Sequence, residues 1–316
     1  MESLKPPTAT GWKSWSAKKK ALLLTSVLIF IIALGVGLGV GLGLGLHNDD
    51  DDDSDNNENE GGDDNTDNNT NIWQPAVGTS WQIVLRYALN DTSVDADVYD
   101  IDLYDNKKSV LDELHSDGRK VICYFSAGTY EDWREDAAQF PRDTLGDDLP
   151  DWDGERWVDI RSSRVRDIMS ARLDLAAEKG CDGVDPDNVD GYDNENGLGL
   201  GEEDSVDYMN WLAGEAHGRN LSIGLKNAGD IIPRVIGRMQ WSVNEQCAQY
   251  EECEVYAPFV KRGKPVFHIE YPKGDETNDE VMVRGAKKDQ ACDFDDSGDF
   301  STVIKNMDLD NWIQTC

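Results

Sequence analysis

Gly183-Val184-Asp185-Pro186-Asp187-Asn188-Val189-Asp190-Gly191-Tyr192 is the stretch whose reading decides the fold. Upstream, residues 163–179 carry Val165, Ile168, Met169, Leu173 and Ala176 at helical spacing, and Gly180 stands where a helix stops. A short apolar strand then runs directly into three acids and an amide. Pro186 predicts that sheet pairing stops there, which leaves the acids at the C-terminal end of the strand. A solvated Asp- and Asn-rich turn has the same composition, so the rest of the chain must separate the two readings.

Outward from this stretch, strands are expected at 81–85, 98–104, 120–126, 157–160, 183–187, 222–227, 240–245 and 265–270. Helical patterns fall between them, plainest at 107–114, 163–179, 205–217 and 230–238. Strand followed by helix, eight times over, predicts a parallel sheet closed into an α/β fold of the (β/α)8 TIM-barrel type. The segment 86–97 has no helical pattern, and an open doubly wound sheet is the alternative. No G-x-G-x-x-G turn follows any strand to mark a nucleotide site, and no cofactor is expected.

The N-terminal part has a different chemistry. Residues 1–20 carry five lysines as a basic tail, 21–46 carry no charge, and 47–72 are a run of Asp, Asn, Glu and Gly. As a helix, 21–46 would be about 39 Å long, enough for a hydrocarbon core of about 30 Å. It is too long for the apolar region of a cleaved signal peptide. With lysines only on its N-terminal side, the expectation is a transmembrane signal anchor of type II in the cell membrane, with the catalytic part (73–316) extracellular. The stalk 47–72 cannot bury a core and is expected to be disordered and extended. Glycines at every second position from Gly35 to Gly45 allow a weak homodimer through the membrane helix.

The net charge is −33. With eleven stalk acids, Glu2 and the five N-terminal lysines set aside, the remainder still carries about −26. Nucleic acid is excluded as a partner by repulsion, whereas a cationic ligand would be drawn in. Six cysteines in an extracellular domain point to disulfides. Cys247 with Cys253 would close a short loop and Cys292 with Cys316 would tie down the tail, while Cys123 and Cys181 either pair or stay buried as thiols. No C-x-x-C spacing occurs, so no metal site is expected there. Asn68 and Asn90 are glycosylation acceptors, and Asn220 is a less accessible third.

The strand ends supply an inventory: Asp102, Tyr124, Ser126, Asp185, Asp187, Asn188, Lys226, Asn227, Asn244, Glu245, Glu270 and Tyr271. In a barrel all of them would face one bowl. Two carboxyls from neighbouring strand ends, one protonated and one ionised, are what cleavage of a glycosidic bond requires. Asp187 and Glu245 are the candidate pair, with Asp187 as nucleophile or base and Glu245, the longer side chain, as acid. Trp81, Tyr124 and Tyr271 are candidate platforms for sugar faces, although Trp81 also reads as core. Calcium loops fail, because Val189 and Ile304 occupy ligand positions. His47, His115, His217 and His268 assemble no triad, and His268 reads as a packed barrel residue.

The 185–192 run, with Tyr99-Asp100-Ile101-Asp102 before it and Gly224-Leu225-Lys226-Asn227 and Val243-Asn244-Glu245-Gln246-Cys247 after it, resembles glycoside hydrolase family 114. The resemblance covers about 73–271, and the tail 274–316 matches nothing. It implies a (β/α)8 endo-α-1,4-polygalactosaminidase, with Asp187 and Glu245 catalytic and Asp102, Tyr124, Asp185, Asn188, Lys226 and Asn227 lining sugar subsites. The anchor and acidic stalk resemble the fungal branch of the family. A galactosamine polymer with free amines is a polycation, which suits the acid excess. The rival reading is a non-catalytic, adhesin-like carbohydrate-binding barrel.

Overall fold

The structure, a computed structural model, describes residues 72–295 and 297–316. The basic tail, the apolar run 21–46, its glycines, Asn68 and all but the last residue of the stalk lie outside the described residues. Among the described residues, no helix is long and apolar enough to cross a membrane.

In chain order the strands are β1 (Trp81–Val84), β2 (Val98–Asp102), β3 (Lys120–Ser126), β4 (Thr129–Glu131), β5 (Leu145–Asp148) and β6 (Glu155–Val158), followed by β7 (Gly183–Asp187), β8 (Ser222–Lys226), β9 (Trp241–Glu245), β10 (Val266–Glu270), β11 (Ser301–Lys305) and β12 (Ile313–Thr315). One sheet has the order β1-β2-β3-β7-β8-β9-β10-β11-β12. Every neighbouring pair from β1 to β11 is parallel, and β12 adds an antiparallel edge to β11. The two ends of the parallel run meet: the Trp81 indole N–H donates to the Ser301 carbonyl at 2.7 Å and Lys305 Nζ to Gln82 Oε1 at 2.8 Å. Eight parallel strands thus form a nearly closed barrel.

Two expectations need correction. The strand expected at 157–160 becomes β6, the central strand of a separate antiparallel sheet of order β4-β6-β5. Its apolar run suits either sheet, and the chain leaving β3 supplies β4 as a local antiparallel partner first. The eighth barrel strand is β11, inside the tail that matched nothing. Nor does a helix follow every strand: none lies between β1 and β2, and the helix after β8 shrinks to Ile232–Val235. The helix Ser163–Lys179 forms as expected, with Gly180 left-handed at its end (φ 86°).

Alternation along the strands divides the core in two. Val84, Tyr99, Ile101, Val121 and Cys123 pack outward against Leu173 and Leu212 of the helices. Trp81, Ile83, Ile122, Trp241, Val243, Phe267 and Ile269 fill the barrel. Trp81 is therefore core, its ring tilted against Phe267 at 4.9 Å and 2% exposed. Gly183 and Gly224 make room for the Trp241 indole, since a Cβ on Gly224 would lie 2.0 Å from its nitrogen. Pro186 ends only one ladder. Pairing of β7 with β8 stops at Val184, whereas pairing with β3 continues to Asp187.

All six cysteines are paired: Cys123–Cys181, Cys247–Cys253 and Cys292–Cys316. The first bridge ties β3 to the turn before β7, and so braces the strand that carries the acids. Asn90 is exposed, with its Oδ1 accepting from Asn311.

Candidate active site

The inner face of β7 presents Asp185 and Asp187, that of β8 presents Lys226, and that of β9 presents Glu245. Lys226, 1% exposed, sits between them with Nζ 3.6 Å from Asp185, 3.8 Å from Asp187 and 3.7 Å from Glu245. One ammonium therefore organises three carboxyls. Asp185 is fully buried, whereas Asp187 and Glu245 keep 18% and 25% exposure and look into the open end of the barrel. Tyr124 donates to Asp187 Oδ2 at 3.0 Å and the Asn188 amide to Oδ1 at 2.8 Å. Tyr271 donates its hydroxyl to Glu245 Oε1, and Asn227 accepts the Glu245 amide at 3.0 Å. Asn227 and Asn188 both adopt left-handed backbone (φ 49° and 59°), which turns the chain sharply just past each strand end.

Burial separates the charges of this cluster. It raises Asp185 to about 7 against the pull of Lys226, and it raises Asp187 in the same sense, helped by Glu245. On Glu245 burial also acts upward, but Lys226, Tyr271 and Asn227 outweigh it and hold the group low. The two carboxyls of the pair are thus pushed in opposite directions, Asp187 up and Glu245 down. Burial drives both Tyr124 and Tyr271 well above the phenol range, aided by the carboxyls they serve, so both remain donors.

Asp100 was missed. It faces the barrel interior one row below Asp185, fully buried, and none of the four carboxyl oxygens of Asp100 and Asp185 meets a hydrogen-bond donor. Burial and the neighbouring Asp185 push Asp100 far upward. A proton held on Asp100 is then the donor available to Asp185. The signal was present in the sequence, because Asp100 and Asp102 are two apart and share a face.

Four expected side chains stand apart from the cluster. Asp102 is 2% exposed, gripped by Arg134 at 2.6 and 3.1 Å, and accepts the amides of Tyr104 and Asp105. Asn188 turns its side-chain amide to Ser126 and Thr129 at 3.0 and 3.3 Å, while its backbone N–H serves Asp187. Glu270 points to the outer face, where it accepts the amides of Ala248 and Gln249 and bonds His268 at 3.0 Å. Asn244 likewise faces away and holds the Cys247 amide.

Several buried acids make the fold sensitive to alkali. Burial raises Asp185 and Glu155 to about 7 and Asp190 to about 6. A raised folded pKa contributes stability that is complete below about pH 4 and is lost as pH climbs through 6 to 7. Groups held low, such as Asp136 and Asp159, act only below about pH 4. Lys305 and Lys264, lowered by burial to about 7 and about 8, oppose the acids over the same window, so the share of one acid is read by exchanging it: Glu155→Gln is expected to lose less stability than the parent between pH 5 and pH 8, by roughly 1 kcal/mol. An equal or larger loss in the variant contradicts this account.

A profile of glycoside-hydrolase family GH114 matches residues 62–316. The chain belongs to that family. As a GH114 member it is a glycoside hydrolase, and Asp187 and Glu245 stand at the ends of β7 and β9, on either side of β8. The crystal structure of Aspergillus fumigatus Ega3 in complex with galactosamine is 65% identical, with a TM-score of 0.77 over 78% of this chain and 98% of that one. The glycoside hydrolase domain of PelA from Pseudomonas aeruginosa is 13% identical, with a TM-score of 0.57 over 74% of this chain and 98% of that one, and shares the fold. Among curated proteins none matches.

Proposed function

We propose that this GH114 hydrolase cleaves α-1,4-linked galactosamine polymers internally, as in deacetylated galactosaminogalactan. The observation that carries the reading is the Asp187 and Glu245 pair set around Lys226 at the open end of a strongly acidic barrel. One carboxyl protonates the glycosidic oxygen as the bond breaks, and the other attacks the anomeric carbon or takes the proton of the attacking water. Lys226, Tyr124 and Tyr271 hold both groups in place. The galactosamine bound by the similar Aspergillus fumigatus protein supports the substrate class. No observation favours the adhesin-like alternative.

The apolar run 21–46 between the basic tail and the stalk supports anchoring in the cell membrane with the hydrolase outside. Glycans on Asn68 and Asn90 and a weak dimer through the membrane helix belong to the same reading.

If the acid excess gathers the polycation, the attraction is screened over a Debye length of about 8 Å at physiological salt. Raising salt from 50 to 500 mM is therefore expected to raise KM on deacetylated polymer several-fold, with fully acetylated polymer a poor substrate throughout. Equal, salt-independent cleavage of both polymers would remove the cationic substrate from the proposal.

A further inference from the structure

Three large aromatic side chains stand in solvent beside the open end of the barrel: Trp133 at 52% exposure, Trp152 at 58% and Tyr250 at 61%. Tryptophan is highly buried on average. The two here lie at the same end of one ladder, because Glu131 pairs with Glu155 and the Asp132 amide donates to the Gly154 carbonyl at 3.1 Å. Each ring has an exposed carboxylate next to it in the chain: Trp133 follows Asp132, Trp152 lies between Asp151 and Asp153, and Tyr250 precedes Glu251 and Glu252.

Both loops are pinned. Arg134, next to Trp133, sends its guanidinium inward to Asp102 and Glu131. The β4 strand starts just past β3, where Ser126 and Thr129 hold Asn188 beside Asp187. Tyr250 sits in the loop closed by Cys247–Cys253, and Glu270 fixes the amides of Ala248 and Gln249 within it. In the strand order β3-β7-β8-β9 the tryptophan pair lies on the chain leaving β3, next to β7 with Asp187, and Tyr250 lies on the chain leaving β9 with Glu245. The two aromatic groups therefore lie on loops at the two ends of the stretch of rim that carries the carboxyl pair.

We propose that Trp133 with Trp152, and Tyr250 across the rim, are outer platforms that hold a galactosamine chain on both sides of the bond being cut. An amino sugar offers an apolar C–H face and an ammonium, and a ring with a carboxylate next to it answers both, with cation–π attraction added. A neutral glycan would use the rings and leave the acids idle. Chain cleavage at internal bonds needs grip on both sides, and Asp102, Arg134, Glu270 and the Cys247–Cys253 bridge acquire a purpose as the supports of that grip. The inference rests on the substrate reading above and extends it to remote sugars.

The test compares the full-length chain with a Trp133→Ala/Trp152→Ala variant and with Tyr250→Ala. The readout is the ratio of kcat/KM on long deacetylated galactosamine polymer to that on short galactosamine oligomers. The ratio is expected to fall about tenfold in the double variant and about threefold in Tyr250→Ala, and Trp133→Tyr/Trp152→Tyr should restore most of it. A ratio within twofold of the parent's in both alanine variants overturns the platforms, including the case in which these rings dock a protein. An equal loss on polymer and oligomers also overturns them, since it marks damage to the fold. If the unaltered chain cleaves neither substrate, the substrate reading fails instead, a distinguishable result.

Discussion

Asp187→Asn and Glu245→Gln are each expected to lower kcat by about 1,000-fold or more while leaving the fold intact. Each exchange keeps the volume of the side chain and removes its capacity to carry or give a proton. The neighbours tolerate it: at 187 the Asn188 backbone N–H can still donate to the remaining oxygen while the Tyr124 hydroxyl turns to accept from the new NH2, and at 245 Tyr271 can still donate to the amide oxygen. The two losses should not multiply in the double variant, because one carboxyl without the other does little. Azide assigns roles in a retaining mechanism. Rescue with an α-glycosyl azide marks the acid/base position, and rescue with a β-glycosyl azide in a variant with a small side chain marks the nucleophile. Near-normal turnover in either single variant would remove that residue from the chemistry.

Lys226→Met is expected to be the most damaging single change to stability. Lys226 is the shared cation of Asp185, Asp187 and Glu245, and burial would lower it if those carboxylates did not outweigh that effect and raise it. Removing one partner from a buried ionic cluster costs about 3–5 kcal/mol. The sign with pH follows from the carboxyls. Lys226 lowers all three, so without it each takes up a proton at higher pH, and the folded state regains stability as pH falls. Urea unfolding should show the larger loss at pH 8 and the smaller at pH 5, and the pH–kcat profile should move upward by about one unit or more. An equal loss at both pH values would mean that the side chain acts by packing alone.

Seven of the eight barrel strands were legible from their short apolar runs, and most of these end in acids or amides, as in Gly183–Asp187 and Trp241–Glu245. The helix Ser163–Lys179 was legible because five apolar residues and a terminal glycine agree. The remainder depended on partners that no local pattern records. The Trp157-Val158 run looks the same in either sheet, and only the nearness of β4 decides its place. Ser301–Lys305 is short and mostly polar, so it reads as a strand only once β10 stands beside it. At the site, position at a strand end was visible but facing was underused. Phe267, Ile269 and Tyr271 share the inner face of the chain leaving β10, which puts His268 and Glu270 outside. What holds Asp102 was not legible either, because its partner Arg134 comes from a loop 32 residues later.

The most direct test is to incubate the full-length chain with partly deacetylated α-1,4-galactosamine polymer and follow product sizes by mass spectrometry over time. The account predicts a rapid fall in chain length through internal cuts, a ladder of short amine-bearing oligomers, and no such ladder with Asp187→Asn or Glu245→Gln. A polymer that keeps its length, or one that only sheds single sugars from its ends, would contradict it.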